Sequence, residues 1–428
     1  MASHAISKKE LLIIRGVNMP NPESVEVGEE IDPNRISGDN VTIHSGCKLF
    51  GAQTQIANGV SLGIEAPVTI DSCFIGSGVS LKGGFFQKSC FLEGSSAGSG
   101  AHVREGTIME EQAVIAHTVG LKQTILFPFV TLGSLINFCD CLMSGGTDRK
   151  NHSEVGSAYI HFNYTPNQDK ATPSLLGDVP RGVMLNQPPI FLGGQGGLVG
   201  PCRLAFGTVI AAGTICRKDE MRSGRFIFGG PQKGGNTPRP PEGVYRNIKR
   251  IVTNNIVYIA SLNALLQWYE HIRRRFIGPS FDEELHRGLI RTLDINIDER
   301  IKRFKQFCMK LPDSADRYRA AFRNANERLI HQKYEVFSKW PELEEEMIRQ
   351  GGNLGELSLK AAFETKLDSA IRRKGPRYLD VIRELDKDGA ELGSQWLDSI
   401  VTSNINGILC HIPSFGTDGG AVKVEKTT

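Results

Sequence analysis

Residues 74–130, FIGSGVSLKGGFFQKSCFLEGSSAGSGAHVREGTIMEEQAVIAHTVGLKQTILFPFV, return an apolar side chain at every sixth position. One phase runs Val79, Phe85, Phe91, Ala97, Val103, Met109, Ile115, Leu121 and Phe127, with glycine and small polar residues clustered between. A helix repeats near 3.6 residues and a strand near 2, so a period of six fits neither. It fits a solenoid in which each six-residue unit makes a short flat strand and a corner, stacked so that one position per unit always points inward. The row is aliphatic enough to be a core, so these residues read as packing.

Upstream, Ile43 and Leu49 stand six apart, and Ile56, Leu62, Val68 and Phe74 form another row. The pattern frays over 142–187 and returns with Leu192, Leu198, Leu204, Ile210 and Cys216. Before it, residues 1–40 carry Pro-containing turns and read as an N-terminal cap over the first coil, whose apolar end needs a cover. The fold expected for 41–220 is therefore a parallel β-helix of hexapeptide type. A Gly/Pro-rich linker or loop follows at 221–247.

From Ile248 the texture changes. Ile248, Ile251, Val252, Ile256, Ile259, Leu262, Leu265 and Leu266 fall at three-to-four spacing, the stripe of an amphipathic helix. Further helices are expected over 281–293, 298–310, 316–338 and 341–350, with shorter ones near 355–373 and 377–385. An α-helical C-terminal domain over 248–410 and a tail at 411–428 complete the organisation.

The chain has 428 residues, 40% hydrophobic and 23% charged, with a formal net charge of +3. That near-neutral balance gives no bulk electrostatic case for nucleic acid or a membrane surface. No apolar run approaches the ~20 residues of a spanning helix. The opening MASHAISKKELLIIRG lacks a secretory apolar core, and the nine cysteines follow no disulfide-framework spacing. Together these point to a reducing cytoplasmic location.

Four segments carry a resemblance: Val155-Gly-Ser-Ala-Tyr-Ile-His-Phe-Asn163-Tyr164 with a polar loop to Lys170, Gly200-Pro-Cys-Arg-Leu-Ala-Phe-Gly-Thr-Val-Ile210-Ala-Ala-Gly-Thr214, Ala101-His-Val-Arg104-Glu-Gly, and Val119-Gly-Leu-Lys122. The period of six resembles the hexapeptide-repeat family, which implies a left-handed parallel β-helix. The four segments look more closely like the acetyltransferase half of the bifunctional glucosamine-1-phosphate acetyltransferase / N-acetylglucosamine-1-phosphate uridyltransferase. That resemblance implies acetyl-CoA as co-substrate, a sugar phosphate or nucleotide sugar as partner, and a homotrimer. It implies binding roles for Arg104, Lys122, Asn163, Tyr164 and Lys170.

Two departures stand out. The family's general-base histidine would fall on Ser134 when counted from Lys122, or on Asp140 when counted back from Asn163-Tyr164. The uridyltransferase half has no counterpart here.

Acyl transfer from a thioester to an amine needs a base near neutral pKa and a donor for the developing oxyanion. Histidine suits the first task. His102, His117, His152 and His161 lie in the zone, with His117 and His152 the catalytic candidates. Arg104, Lys122 and the Arg149-Lys150 pair have the charge to clamp a phosphate or pyrophosphate. Cys139 and Cys141 lack a zinc-site spacing, so no metal is expected. Two readings stay open: a hexapeptide-type acyltransferase of UDP-N-acetylglucosamine-related metabolism, or a non-catalytic sugar-nucleotide-binding β-helix that has lost its base.

Overall fold

The computed structural model describes residues 6–165, 167–229, 241–246 and 248–416. The Gly/Pro-rich stretch 230–240 and the end of the expected tail, 417–428, lie outside the described residues.

Between Glu26 and Ile227 the described residues wind into a parallel β-solenoid of about 11 turns. Each turn contributes three short strands, most of them two or three residues long, and equivalent strands of successive turns pair in parallel. Three faces result. On the first, the inward ladder runs Ile43, Leu62, Leu81, Ala97, Ile115, Leu132, Val155, Leu192 and Ile210, all buried. Of its outward partners, Thr42, Ser61, Ser80, Ser96 and Thr131 are small and polar and Glu154 is charged, as alternation expects of a face open to water, while Val114, Phe191 and Val209 are apolar.

The second face reads apolar on both sides. Inward stand Ile56, Ile75, Phe91, Met109, Leu126, Met143, Leu176 and Leu204. Outward stand Gln55, Phe74, Cys90, Ile108, Ile125, Leu142 and Leu175, every one of them buried as well. A sheet layer this apolar needs a cover, and the helical region supplies it.

Ten helices are present among the described residues: α1 (Lys8–Ile14), α2 (Val179–Gly182), α3 (Ile248–Gln267), α4 (Glu283–Cys308), α5 (Leu311–Ala321), α6 (Glu327–Ser338), α7 (Trp340–Arg349), α8 (Leu357–Lys374), α9 (Tyr378–Arg383) and α10 (Lys387–Leu409). The last eight form the C-terminal region. α4 packs over the second face so closely that a Cβ on Gly288 would lie 2.2 Å from the Phe74 ring.

Several expectations shift. Phe74 and Phe85 do not point into the solenoid. Ile75 and Phe86 take those inward positions, because Phe74 pairs with Gln55 and Cys90 on the outward side, and Phe85 pairs with His102. Phe74 is buried instead under α4, and Phe85 stacks on the His102 ring at 5.1 Å. The strand ladder starts at Glu26–Val27, inside the segment expected to be only a cap, since two-residue strands between prolines leave no period to read. The segments 281–293 and 298–310 are one helix, α4, and 316–338 is divided between α5 and α6.

Candidate functional site

The frayed zone holds three insertions in the coil: a hairpin, Gly146–Asp148 with Asn151–His152; a loop over 163–173; and the segment 177–190 around α2. Each leaves the solenoid at a corner, and the corners sort the candidate residues.

The corner between the third face, whose inward ladder includes Val103, Leu121, Phe138 and Leu198, and the helix-covered face holds most of them. Successive turns place Arg104-Glu105-Gly106, Lys122-Gln123 and Cys139-Asp140 above one another, with Leu121 in register with Val103, and Lys122 with Cys139. The corner bends through left-handed backbone, at Gly106 with φ 77° and at Gln123 and Asp140 with φ 51° and 63°. Lys122 pairs with Glu105 at 2.7 Å. Burial acts to raise the Glu105 carboxyl, but the Lys122 hydrogen bond and charge, with Arg104 behind them, hold it below the usual carboxylate range. Burial and the Asp140 charge push the Cys139 thiol up despite both cations. Arg104 is exposed.

The 163–173 loop leaves the same corner. Asn163 Nδ2 donates to Asp140 Oδ2 at 3.0 Å, and the other carboxylate oxygen of Asp140 pairs with Arg300 of α4 at 2.7 Å. Both partners of that ion pair are almost fully enclosed, at 2% and 4% side-chain exposure. The helical region grips the rest of the loop. Lys310 Nζ donates to the carbonyls of Asn167 and Gln168, Asn255 of α3 donates to the Ala171 carbonyl, and the Tyr245 hydroxyl donates to Asp169. Tyr164 is exposed and Lys170 half-buried, and among the described residues neither has a side-chain hydrogen bond or ion pair.

His117 sits at the corner on the other side of the same face. Its Nδ1 lies 2.8 Å from Ser134 Oγ, one turn further on, and its ring is exposed. It stands five positions before Lys122, at most about 16 Å along an extended chain. His152 is at the third corner, on the hairpin, with Nδ1 3.3 Å from the Ser153 carbonyl oxygen. The chain thus gathers Arg104, Lys122, Asn163, Tyr164 and Lys170 around one corner and leaves His117 and His152 at two others.

His161 belongs to the core. It occupies the inward ladder between Phe138 and Leu198, bonded through Nδ1 to the Cys139 carbonyl and through Nε2 to Ser174 Oγ at 2.8 Å. Burial lowers its pKa to about 4, so the ring is neutral at physiological pH. Among the described residues no three His, Cys, Asp or Glu side chains gather as a metal site would require, and no helix is long and apolar enough to cross a membrane.

Arg300, Lys310, Asn255 and Tyr245 had no signal in the sequence. Each lies 76 to 160 residues from its partner, Tyr245 in the Gly/Pro-rich linker and the others in segments that read as ordinary helix.

No family model matches the chain. Curated relatives do. A protein named Bifunctional protein GlmU from Pelobacter propionicus is 30% identical over 222 residues, 52% of this chain and 43% of the relative. Proteins of the same name from Trichlorobacter lovleyi and Geotalea uraniireducens are 27% and 26% identical over the same shares. The chain spans less than half the length of these relatives. Over about half its own length, the chain is similar in sequence to bifunctional GlmU proteins, and it carries the parallel β-solenoid expected of a hexapeptide-repeat protein.

Proposed function

We propose that this chain is a hexapeptide-type acyltransferase that uses acetyl-CoA to acylate an amino-sugar phosphate or nucleotide sugar, and that it works as a homotrimer. The observation that carries the reading is the His117–Ser134 contact. Ser134 is where the family's general base would fall in one register, and an imidazole from the preceding turn reaches that place. With Nδ1–H donating to the Ser134 hydroxyl oxygen, Nε2 is the unprotonated nitrogen and takes the proton of the attacking amine. No covalent nucleophile is needed.

In this reading Arg104 and Lys122 hold the substrate phosphate, one as a fork and the other as a point charge. Asn163, Tyr164 and Lys170 contact the coenzyme. A general base acts within about 3 Å of its proton, so His117 cannot serve a group held against Asn163 at the far edge of the face in the same chain. A neighbouring solenoid laid along that face brings one chain's His117 to another's Asn163, which is the case for the homotrimer. His152, on the third corner, has no part in this step.

A second reading is favoured by Asp140. At the other position where the base would fall stands a carboxylate already neutralised by Arg300, and such a protein would bind sugar nucleotide without turning it over.

One experiment separates the two. Acetyl-CoA, UDP-N-acetylglucosamine and glucosamine-1-phosphate are titrated by calorimetry, alongside a transfer assay. The acyltransferase reading expects acetyl-CoA binding that vanishes in Asn163→Ala, and transfer that His117→Ala lowers by about 10²-fold or more. Sugar-nucleotide binding with no coenzyme signal selects the second reading. Turnover unchanged in His117→Ala removes that residue from the mechanism.

A further inference from the structure

The third corner carries a charged cleft that the acyl-transfer reading does not use. The hairpin Gly146–Asp148/Asn151–His152 projects from the solenoid and presents Arg149 and Lys150 at its tip. Facing it is α9, with Arg377 at its N-cap and Arg383 in its last turn. Between them lies a cleft of about 440 Å³ lined by these four cations and two carboxylates, Asp148 and Asp380. That volume is in the range of small-molecule sites.

The cations are not saturated by the protein. Among the described residues Arg149 and Lys150 form no ion pair. Arg383 approaches Asp148 only to 3.8 Å, and Arg377 approaches Glu93 and Asp380 only to 3.6 and 3.8 Å, all beyond hydrogen-bond reach. Arg149 is nonetheless fixed. Its Nη1 donates to the carbonyls of Gln112 and Phe129, at 3.1 and 2.7 Å, and to Thr131 Oγ1 at 3.0 Å. Its Nε and Nη2 make no hydrogen bond among the described residues, so a planar donor group is held still with an edge unused. Such an edge matches the oxygens of a phosphate, and preorganisation reduces the side-chain entropy lost on binding.

We propose that this cleft binds the phosphate or diphosphate group of a small phosphorylated ligand, held between the solenoid hairpin and α9. Arg149 gives the bidentate contact. Lys150 and Arg383 add charge from the two sides, and Asp148 competes with the ligand for Arg383. The site is separate from the Arg104–Lys122 corner, and the inference does not depend on acyl transfer.

The test is calorimetric titration of the full chain with inorganic pyrophosphate and, separately, inorganic phosphate, at low and physiological salt. Saturable one-to-one binding is expected, weakened at least tenfold by Lys150→Ala and by Arg383→Ala. Asp148→Asn is expected to tighten it, and Lys88→Ala, remote from the cleft, to leave it unchanged. The three alanine changes are at exposed or half-exposed positions and leave the melting temperature near that of the parent protein, so a loss of binding is not a loss of fold. Pyrophosphate binding well above phosphate assigns a diphosphate ligand, and equal binding a monoester. Absence of saturable binding by either anion overturns the proposal, as does binding that Lys150→Ala and Arg383→Ala leave untouched.

Discussion

Arg300→Ala tests how firmly the helical region is bonded to the solenoid and to the loop bearing Asn163. The Arg300–Asp140 contact is 2.7 Å long with both side chains almost fully enclosed. At that separation the attraction is roughly 6 kcal/mol for an effective dielectric near 20, most of it offset by desolvation of the two charges. Removing one partner is a different matter. Asp140 would remain buried with the Asn163 amide as its one side-chain donor, and uncompensated buried charges cost about 3–5 kcal/mol. Arg300→Met with Asp140→Asn removes both charges, and the unpartnered Nε and Nη1 of Arg300 go with them. That double variant is expected to be less damaged than Arg300→Ala, with a coupling of about 2–3 kcal/mol across the cycle closed by the single variants Arg300→Met and Asp140→Asn. Urea unfolding followed by tryptophan emission reads this directly, because Trp268, Trp340 and Trp396 all lie in the helical region. Midpoints are compared, since a chain of this size need not unfold in one step. Loss of less than about 1 kcal/mol in Arg300→Ala, or strict additivity in the double variant, would refute the closed buried pair.

Gly288→Ala drives a methyl into the Phe74 ring, 2.2 Å away, so the gain in helix propensity of about 1 kcal/mol is expected to be outweighed by overpacking, for a net loss of up to about 2 kcal/mol. Recovery on adding Phe74→Leu checks the cause, and a stabilised Gly288→Ala contradicts the docking of α4. The pH dependence of stability carries two opposed contributions. His161 is neutral in the fold with its pKa lowered to about 4, so its contribution of about 3 kcal/mol is complete above the unfolded value near 6.5 and is lost as pH falls toward 4. Glu110 is raised to about 7, by burial foremost, so its contribution is complete below the unfolded value near 4.5 and is lost as pH rises toward 7. Unfolding midpoints between pH 4.5 and 7.5 are expected to lose the acid-side fall in His161→Gln and the alkaline-side fall in Glu110→Gln. Parallel profiles for parent and variants would show that neither group titrates with folding.

The solenoid was legible because its constraint is local and repeated. One inward side chain per short strand and one tight corner per unit write a period of six that no helix or hairpin produces, and Val103, Met109, Ile115 and Leu121 stand where that period puts them. The slips were at Phe74, Phe85 and Phe127, the last because Leu126 takes the inward place between Met109 and Met143. A strand alternates sides, so an aromatic residue one place out of phase points outward, and six-residue counting cannot see it. α10 escaped for another reason. Its sequence holds Gly389, Gly393 and Gly407 with several Ser and Asn residues, poor helix formers whose cost is offset only by burying Trp396, Leu397, Ile400 and Ile408 against the neighbouring helices.

The candidate site divides along the same line. The residue types of Arg104, Lys122, Asn163 and Tyr164 and their spacing in turns were in the sequence, because stacking maps a fixed spacing onto a shared corner. The sequence could not supply what faces that corner. Asp140 meets Arg300, and the 163–173 loop meets α3 and Lys310, only after the chain has doubled back on itself. Contacts between residues far apart in the chain are set by packing geometry, and pattern alone does not encode them.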